Sequence, residues 1–134
     1  MSQENVEVVR GMLSAFGGTQ QVPAEAFAPD FIWDLSNFQG WPGRHEFTGI
    51  AEFDEFFAGW IEPYSEWTQE IVDVRDAGRD HVVATMRQRG RLRDSGSWVD
   101  LNYALLYTFR EGRIQRVELY TPPEGALKAA GLRA

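Results

Sequence analysis

The sequence contains no cysteine, which excludes disulfide bonds, thiolate metal sites and a cysteine nucleophile. It also lacks any window that approaches the ~20 consecutive apolar residues of a membrane-spanning helix. The first ten residues, MSQENVEVVR, have neither the basic region nor the apolar run of a secretory signal. We therefore expect a cytoplasmic protein that does not insert into a membrane.

Positive charge is scarce, since 13 lysines and arginines stand against 20 aspartates and glutamates, for a formal net charge of −7. Nucleic acid and anionic lipid repel such a chain, so neither is an expected partner. Arg87, Arg89, Arg91 and Arg93 are a local exception, because in a strand they would project from one face. This row is either an anion-binding stripe or a solvated outer sheet face whose arginines pair with acids on neighbouring strands.

Histidine is also scarce, with His45 and His81 the two in the chain. Two histidines without cysteine make a weak basis for a metal site. The sequence has no glycine-rich phosphate loop, no G-x-S-x-G elbow and no pair of histidines at helical spacing with a glutamate. We expect no metal and no cofactor.

The 134 residues, 43% hydrophobic and 25% charged, suit one globular domain over residues 1–134. Apolar residues at helical spacing predict a first helix with Ser2 as its N-cap and the glycines at 17–18 as its stop. A short helix is predicted over 23–27 and is ended by Pro29. The segment FIWDL, residues 31–35, is a predicted strand, and a wide apolar stripe over 50–61 predicts an amphipathic helix.

Four long strands are predicted at about 66–76, 81–92, 97–110 and 113–121, because the segments between them carry the glycine, aspartate and serine of tight turns. Thr121 is the expected N-cap of a C-terminal helix over 122–130. Helices followed by antiparallel strands give an α+β fold, in which a curved, cone-shaped sheet wraps around the N-terminal helices.

Alternation along the strands sorts their side chains onto two faces. The residues predicted to point inward are Val82, Ala84, Met86, Gln88, Gly90, Leu101, Tyr103, Leu105, Tyr107, Phe109, Val117, Leu119 and Thr121. The inner wall is therefore almost wholly apolar, and Gln88 and the tyrosine hydroxyls are its few polar groups.

Six phrases occur in a characteristic order: SQENVEVVRGML, APDFIWD, FTGIAEFDEFF, VVATMRQRGR, LYTFREGRIQRV and YTPPEGALKAAG. In their order and spacing the chain resembles, over nearly its entire length, the SnoaL-like family of the nuclear transport factor 2 superfamily, which also contains ketosteroid isomerase. The resemblance implies a cone-shaped α+β barrel with an apolar pocket at its wide end. It also implies a homodimer formed through the outer sheet face.

Catalytic relatives in this superfamily use acid–base chemistry without a cofactor. Carried over by the resemblance, the base, the tyrosine and the aspartic acid of ketosteroid isomerase fall on Leu35, Met12 and Leu105, and none of these exchanges a proton. A SnoaL-like chain typically has Trp-His-Asp-Pro at the end of the first strand, where this one reads Trp33-Asp34-Leu35-Ser36. The usual isomerase mechanism therefore does not transfer.

Two other residues are candidate catalytic groups. Asp34, at the rim of an apolar pocket, would have a raised pKa and act as a general base. If Trp33 and Leu35 face inward, however, Asp34 faces outward and is a rim or surface aspartate tied to a turn. His45 lies on the loop expected to cap the pocket, where it either transfers protons or is simply solvated.

The predicted ligand-binding residues are Trp33, Leu35, Phe53, Phe57, Trp60, Met86, Gln88, Tyr103, Leu105, Tyr107 and Leu119. Gln88 and Tyr103 would hold an oxygen of the ligand, or else bond to each other or to buried water in a filled core. The expected ligand is a small apolar carbonyl or polyketide-like compound. Three functions stay open: a cofactor-independent isomerase, cyclase or hydrolase, a non-catalytic binding protein, and a dimeric structural or interaction module with a filled pocket.

Overall fold

The computed structural model describes residues 2–19 and 23–132. In chain order the elements are α1 (Ser2–Thr19), a 3₁₀ helix (Ala24–Ala26), β1 (Phe27–Phe38), β2 (Glu46–Thr48), α2 (Gly49–Ile61), β3 (Tyr64–Gly78), β4 (His81–Leu92), β5 (Trp98–Arg110), β6 (Arg113–Thr121) and α3 (Glu124–Ala129). No helix within these described ranges has the length and apolar character needed to cross a bilayer.

The six strands form one sheet in the order β2-β1-β6-β5-β4-β3. β1 runs parallel to β6, and the other neighbouring pairs are antiparallel. In the parallel pair Trp33 lies beside Val117 and Asp34 beside Glu118. The predicted α+β fold, with a mixed, curved sheet around N-terminal helices, is confirmed.

The main core lies between the inner face of the sheet and the two long helices. α1 packs on β3 and β4, and α2 packs on β1 and β2. Val82, Met86 and Val117 are completely buried, at 0% exposure each, as the alternation of their strands predicts. The helices thus cover the apolar side of the sheet and turn its charged side to solvent.

A second, smaller cluster lies on the opposite face of the sheet. Val83, Ala104 and Leu106 point outward from β4 and β5 but are buried, because Ala126 and Leu127 of α3 pack over them. Sequence analysis predicted no cover over this face from within the chain. The C-terminal helix instead covers one end of it and leaves the arginine-rich end open.

Several predicted boundaries are wrong. α1 continues through the glycines at 17–18, and Pro29 lies inside β1 rather than at the end of a helix. β1 tolerates Pro29 because its pairing with β6 is irregular between Phe27 and Ile32. Thr121 still belongs to β6, so Pro123 takes the N-cap position of α3 and makes no side-chain capping bond. The three-residue β2, in a turn-rich stretch, was not predicted.

Gly90 of β4 has the ring of Tyr64 directly over its backbone. A Cβ atom at Gly90 would lie within 2.9 Å of three ring carbons of Tyr64, closer than van der Waals contact allows. We expect Gly90→Ala to lower the free energy of unfolding by about 1–3 kcal/mol, because the ring or the strand must move. Urea denaturation followed by circular dichroism measures this change.

Gly59 of α2 provides the matched control, since it is exposed and no atom lies within 4 Å of the Cβ that alanine would add. Gly59→Ala should be neutral or stabilise the protein by up to about 1 kcal/mol, as expected for glycine in a helix. Equal stability of the two variants would contradict the proposed contact between Tyr64 and Gly90.

Candidate functional site

A cavity of about 50 Å³ lies between α1, α2 and the inner face of the sheet. Its sixteen lining residues are Met12, Leu13, Phe16, Phe27, Phe31, Trp33, Phe53, Phe56, Phe57, Trp60, Trp67, Gln69, Tyr103, Leu105, Tyr107 and Leu119. One water molecule requires roughly 10–15 Å³, so the cavity has room for several waters or for part of a small ligand.

The helix α2 supplies four of the eleven aromatic residues of the wall, more than any other element. Phe53, Phe56, Phe57 and Trp60 follow one another at the i, i+3, i+4 and i+7 positions that share one helix face. Their rings meet those of neighbouring elements edge to face: Phe57 lies 4.8 Å from Phe16 of α1 and 5.4 Å from Trp67 of β3, measured between ring centroids. The wall is an aromatic surface built from five elements of the fold, α1, β1, α2, β3 and β5.

Gln88 of β4 lies behind this wall and fixes two of its tryptophans. Its side chain is 2% exposed, and its amide oxygen accepts the indole N–H of Trp60 at 2.8 Å and that of Trp67 at 3.1 Å. A carbonyl oxygen has two lone pairs, so these two bonds use its full accepting capacity. The oxygen of Gln88 is therefore a structural acceptor and does not bond to Tyr103.

Tyr103 and Tyr107 of β5 are buried in the cavity wall. Burial raises the pKa of both hydroxyls well above the ordinary value for tyrosine, and at Tyr107 the neighbouring Tyr103 adds to this effect. Both side chains are consequently neutral near pH 7. The Tyr103 hydroxyl donates to Oε1 of Gln69 at 3.4 Å, which is long for such a bond.

Trp33 of β1 lies in the same wall but is bonded differently from Trp60 and Trp67. Its indole nitrogen is buried and has no hydrogen-bond partner among the described residues. The ring is held by packing instead, with its centroid 4.6 Å from that of Phe53 and 5.6 Å from that of Phe56. The wall therefore contains one N–H donor that the protein leaves unused.

Eight of the eleven predicted ligand-binding residues line the cavity: Trp33, Phe53, Phe57, Trp60, Tyr103, Leu105, Tyr107 and Leu119. Leu35, Met86 and Gln88 do not, because other core side chains lie between them and the cavity. The predicted set lacks the other eight lining residues, which are Met12, Leu13, Phe16, Phe27, Phe31, Phe56, Trp67 and Gln69. The helical spacing of Leu13 and Phe16 was visible, but spacing alone does not separate a cavity wall from a filled core.

Asp34 is buried on the outer face of the sheet, at 4% exposure, and does not line the cavity. Its carboxylate accepts the backbone N–H of Ser36 at 2.8 Å and pairs with the guanidinium of Arg116 on β6. Arg116 also contacts Glu46 of β2 at 3.3 Å. The three charged side chains thus connect β2, β1 and β6.

The raised pKa expected for Asp34 is wrong. Burial alone would raise the pKa of this carboxyl, but the hydrogen bonds from Ser36 and the hydrogen bond and charge of Arg116 outweigh burial and lower it below the ordinary value. Because neighbouring residues of a strand point to opposite faces, the register that turns Trp33 inward turns Asp34 outward, toward Arg116. Asp34 is therefore ionised at neutral pH, and its carboxylate is already bonded to Ser36 and Arg116.

His45 is exposed on the loop before β2 and does not line the cavity. Its Nε2 lies 3.2 Å from the carbonyl oxygen of Trp41, while its own carbonyl oxygen accepts the Leu35 N–H at 2.7 Å. The described residues contain no group of three or more histidines and acids placed to hold a metal ion. A catalytic role for Asp34 or His45 stays a prediction.

The arginines of β4 are paired with acids, as one of the two interpretations predicts. Asp100 of β5 lies 3.5 Å from Arg87 and 3.6 Å from Arg89, and Glu66 lies 3.6 Å from Arg91. Arg93 donates to the carbonyl oxygen of Glu62 at 2.8 Å. The row is a charge-paired outer face, so an anion-binding stripe has no support here.

The family model of the SnoaL-like domain matches residues 9–117 of the chain. None of the curated proteins matches its sequence. Among solved structures, a nuclear transport factor 2-like protein of unknown function from Burkholderia pseudomallei K96243 aligns with a TM-score of 0.74 and 19% identity, over 93% of this chain and 95% of that one.

Two further solved structures have the same fold. A SnoaL-like protein from Jannaschia sp. CCS1, named a polyketide cyclase, aligns with a TM-score of 0.71 and 21% identity over 99% of this chain and 95% of that one. TerC, co-crystallised with polyporic acid, aligns with a TM-score of 0.71 and 18% identity over 96% of this chain and 98% of that one. At these identities the likeness shows the fold alone.

The pairing of Asp34 with Arg116 generates a pH prediction. Asp34→Asn should lower the free energy of unfolding at pH 7 by about 1–3 kcal/mol, a modest figure because Arg116 is 33% exposed and solvent screens the pair. Since the folded pKa of Asp34 lies below the unfolded value of 3.8, the difference between wild type and variant should be complete above that value and shrink as the pH falls below it.

Urea denaturation at a series of pH values measures this difference. Asp54→Asn, on the exposed face of α2, is the control and should change stability by less than about 0.5 kcal/mol. A difference between wild type and Asp34→Asn that stays constant down to the lowest accessible pH would show that the lowered pKa is not the cause.

Proposed function

Because the chain belongs to the family of SnoaL-like domains, we propose that it binds a small, mostly aromatic carbonyl compound in the cavity between α1, α2 and the sheet. The observation that carries this proposal is the composition of the wall, in which eleven of the sixteen lining residues are aromatic. Aromatic rings offer flat apolar surface and favour stacked or edge-to-face contact with another ring. A planar, largely apolar ligand is complementary to such a wall.

The polar groups of the wall define the polar part of the ligand. The indole N–H of Trp33 has no acceptor among the described residues, and the hydroxyl of Tyr103 makes a long bond to Gln69 that a better acceptor can replace. Both groups are donors. A ligand oxygen that accepts, as in a ketone, an aldehyde or a quinone, would satisfy them, whereas a ligand that brings further donors would not.

Binding without acid–base catalysis is the version of this function that we favour. Among the sixteen described lining residues there is no aspartate, glutamate, histidine, lysine or arginine. The buried tyrosines have raised pKa values and keep their protons near neutral pH. An isomerase or cyclase mechanism would require Asp34 or His45 to reach the ligand, and Asp34 is held on the other face of the sheet by Arg116.

The test is ligand binding by wild type and by two variants of adjacent residues on β5. Native mass spectrometry of freshly purified protein and thermal unfolding with aromatic ketones, quinones, steroids and polyporic acid would identify a ligand. A bound compound at 100 times its Kd should add about 2.7 kcal/mol to the free energy of unfolding. Leu105→Phe, which fills the cavity, should weaken that binding at least tenfold.

Leu106→Phe is the control, because Leu106 points to the opposite face beneath α3. It should cost about 1–3 kcal/mol of stability through overpacking and leave the Kd unchanged. The proposal fails if no compound of these classes binds wild type, and a similar loss of affinity in both variants would show that binding does not occur in this cavity. If no compound binds, a dimeric structural or interaction module with a filled pocket describes the protein better.

We further propose a cytoplasmic homodimer that forms through the open end of the outer sheet face. Trp98 is 45% exposed there, and the guanidinium of Arg89 lies 4.3 Å from its ring centroid. The guanidinium of Arg91 lies 5.9 Å from the same centroid and Arg89 also pairs with Asp100, so the patch presents an aromatic centre with charges of both signs. Such a patch is complementary to itself across a two-fold axis, as an isologous interface requires.

Sedimentation of wild type should show a dimer at micromolar concentration. Trp98→Ser should weaken the dimer at least tenfold, since central tryptophans carry much of the energy of interfaces. Asp54→Ser on α2, on the other side of the sheet, should leave it unchanged. A monomeric wild type, or a Trp98→Ser variant that dimerises normally, would exclude this interface.

A further inference from the structure

The buried indole N–H of Trp33 is the feature that the fold alone does not explain. Of the tryptophans in the described cavity wall, Trp60 and Trp67 donate to Gln88, whereas the Trp33 nitrogen has no acceptor among residues 2–19 and 23–132. Burying a donor without an acceptor costs its free energy of hydration, and folded proteins rarely leave such groups unpaired. No described residue supplies an acceptor for this N–H, which leaves it free to bond to a ligand.

The surroundings of Trp33 indicate where that partner can lie. Trp33 is on the inner face of β1, where it pairs with Val117 of β6 and Phe47 of β2. Phe53 and Phe56 of α2 pack against its ring. Other atoms of Trp33 line the aromatic cavity, so the cavity is the nearest site for a ligand that could accept this N–H.

We propose that the indole N–H of Trp33 donates a hydrogen bond to the carbonyl oxygen of the ligand and thereby selects carbonyl compounds over hydrocarbons of the same shape. This assignment rests on the function proposed above. An apolar wall alone discriminates poorly between ligands of equal size and shape, whereas a buried donor that would otherwise stay unpaired rejects a ligand without an acceptor. Trp33 is then the residue that sets specificity.

The ring packing around Trp33 supports such a role. Phe53 and Phe56 hold the indole in place, and a ligand oxygen reaches its N–H when the side chains that now cover the nitrogen shift. Trp60 and Trp67 cannot serve in the same way, since their N–H groups are committed to Gln88. Tyr103 can add a second bond only by giving up its contact with Gln69.

Acetophenone and α-methylstyrene are suitable probes, because they differ in having a C=O or a C=CH₂ group on the same planar frame. The measured quantity is the preference ratio, the Kd of α-methylstyrene divided by the Kd of acetophenone. In Trp33→Phe this ratio should fall about three- to tenfold relative to wild type, the amount that one hydrogen bond contributes.

Trp67→Phe is the matched control, since it makes the same change of ring on the same cavity wall but removes an N–H that is bonded to Gln88. Because Trp67 lines the cavity, the change of ring should alter the Kd of both probes by a similar factor, so that the preference ratio stays as in wild type. Without ligand, Trp67→Phe should be the less stable of the two variants, because it removes a protein hydrogen bond and Trp33→Phe removes none.

Nitrogen-15 NMR of the indole groups gives a direct readout. The Trp33 signal is assigned by its disappearance in Trp33→Phe. Acetophenone should move its proton resonance downfield and slow its exchange with solvent, while α-methylstyrene should do neither. The Trp60 and Trp67 signals should keep their protection with both probes.

The outcomes separate this inference from the proposed function. If both probes bind and the preference ratio is the same in wild type and Trp33→Phe, the cavity binds apolar compounds but Trp33 does not select them, and a buried water is its partner. If neither probe binds wild type, the proposed function fails for this ligand class and the assignment of Trp33 fails with it. A reduced ratio in Trp33→Phe alone, together with the NMR shift, supports the assignment.

Discussion

The parallel pairing of β1 with β6 is the constraint on which the other features depend. It sets Trp33 beside Val117 and Asp34 beside Glu118, and so decides which side chains of β1 enter the core. A shift by one residue would bring Asp34 into an aromatic environment and expose Trp33. The ion pair between Asp34 and Arg116 stabilises the observed register, because it forms only when the two strands align in this way.

Hydrogen bonds and ion pairs contribute differently on the two faces of the sheet. On the outer face, charged side chains pair across strands and remain partly exposed, where each pair contributes little. On the inner face, the few polar groups are fully buried, and each bond or missing bond has a large effect. The acceptor of Gln88 and the unpaired donor of Trp33 are therefore the polar atoms that matter most for the cavity.

The sequence was sufficient for the order of the helices and the long strands and for the faces of β4 to β6, because periodicity is a local property, but it did not predict the short β2. Val82, Met86 and Val117 point inward as predicted. The partner of Asp34 was not predictable, since Arg116 lies far away in sequence and meets it only through the parallel pairing. The burial of Leu106 beneath α3 was not predictable either, because it depends on how the chain after β6 folds back onto the sheet.

The cavity wall was predicted in part for a similar reason. Tyr103 and Leu105 line it because their strand faces inward, which periodicity indicates. Met86 and Gln88 also face inward, yet neither lines the cavity, and at Gln88 the two tryptophans bonded to its oxygen form the wall instead. Periodicity gives the direction of a side chain but not what is packed in front of it, which depends on helix placement and rotamers.

The shared acceptor at Gln88 has an evolutionary consequence. One carbonyl oxygen serves two indoles from different elements, so the three positions are energetically coupled and their substitutions will not combine additively. Replacing Gln88 alone leaves two buried N–H donors without an acceptor, while replacing one tryptophan opens a void beside the other. Sequences that drift from this one should therefore keep Gln88, Trp60 and Trp67 together or replace all three, and a lone change at any of them would be selected against.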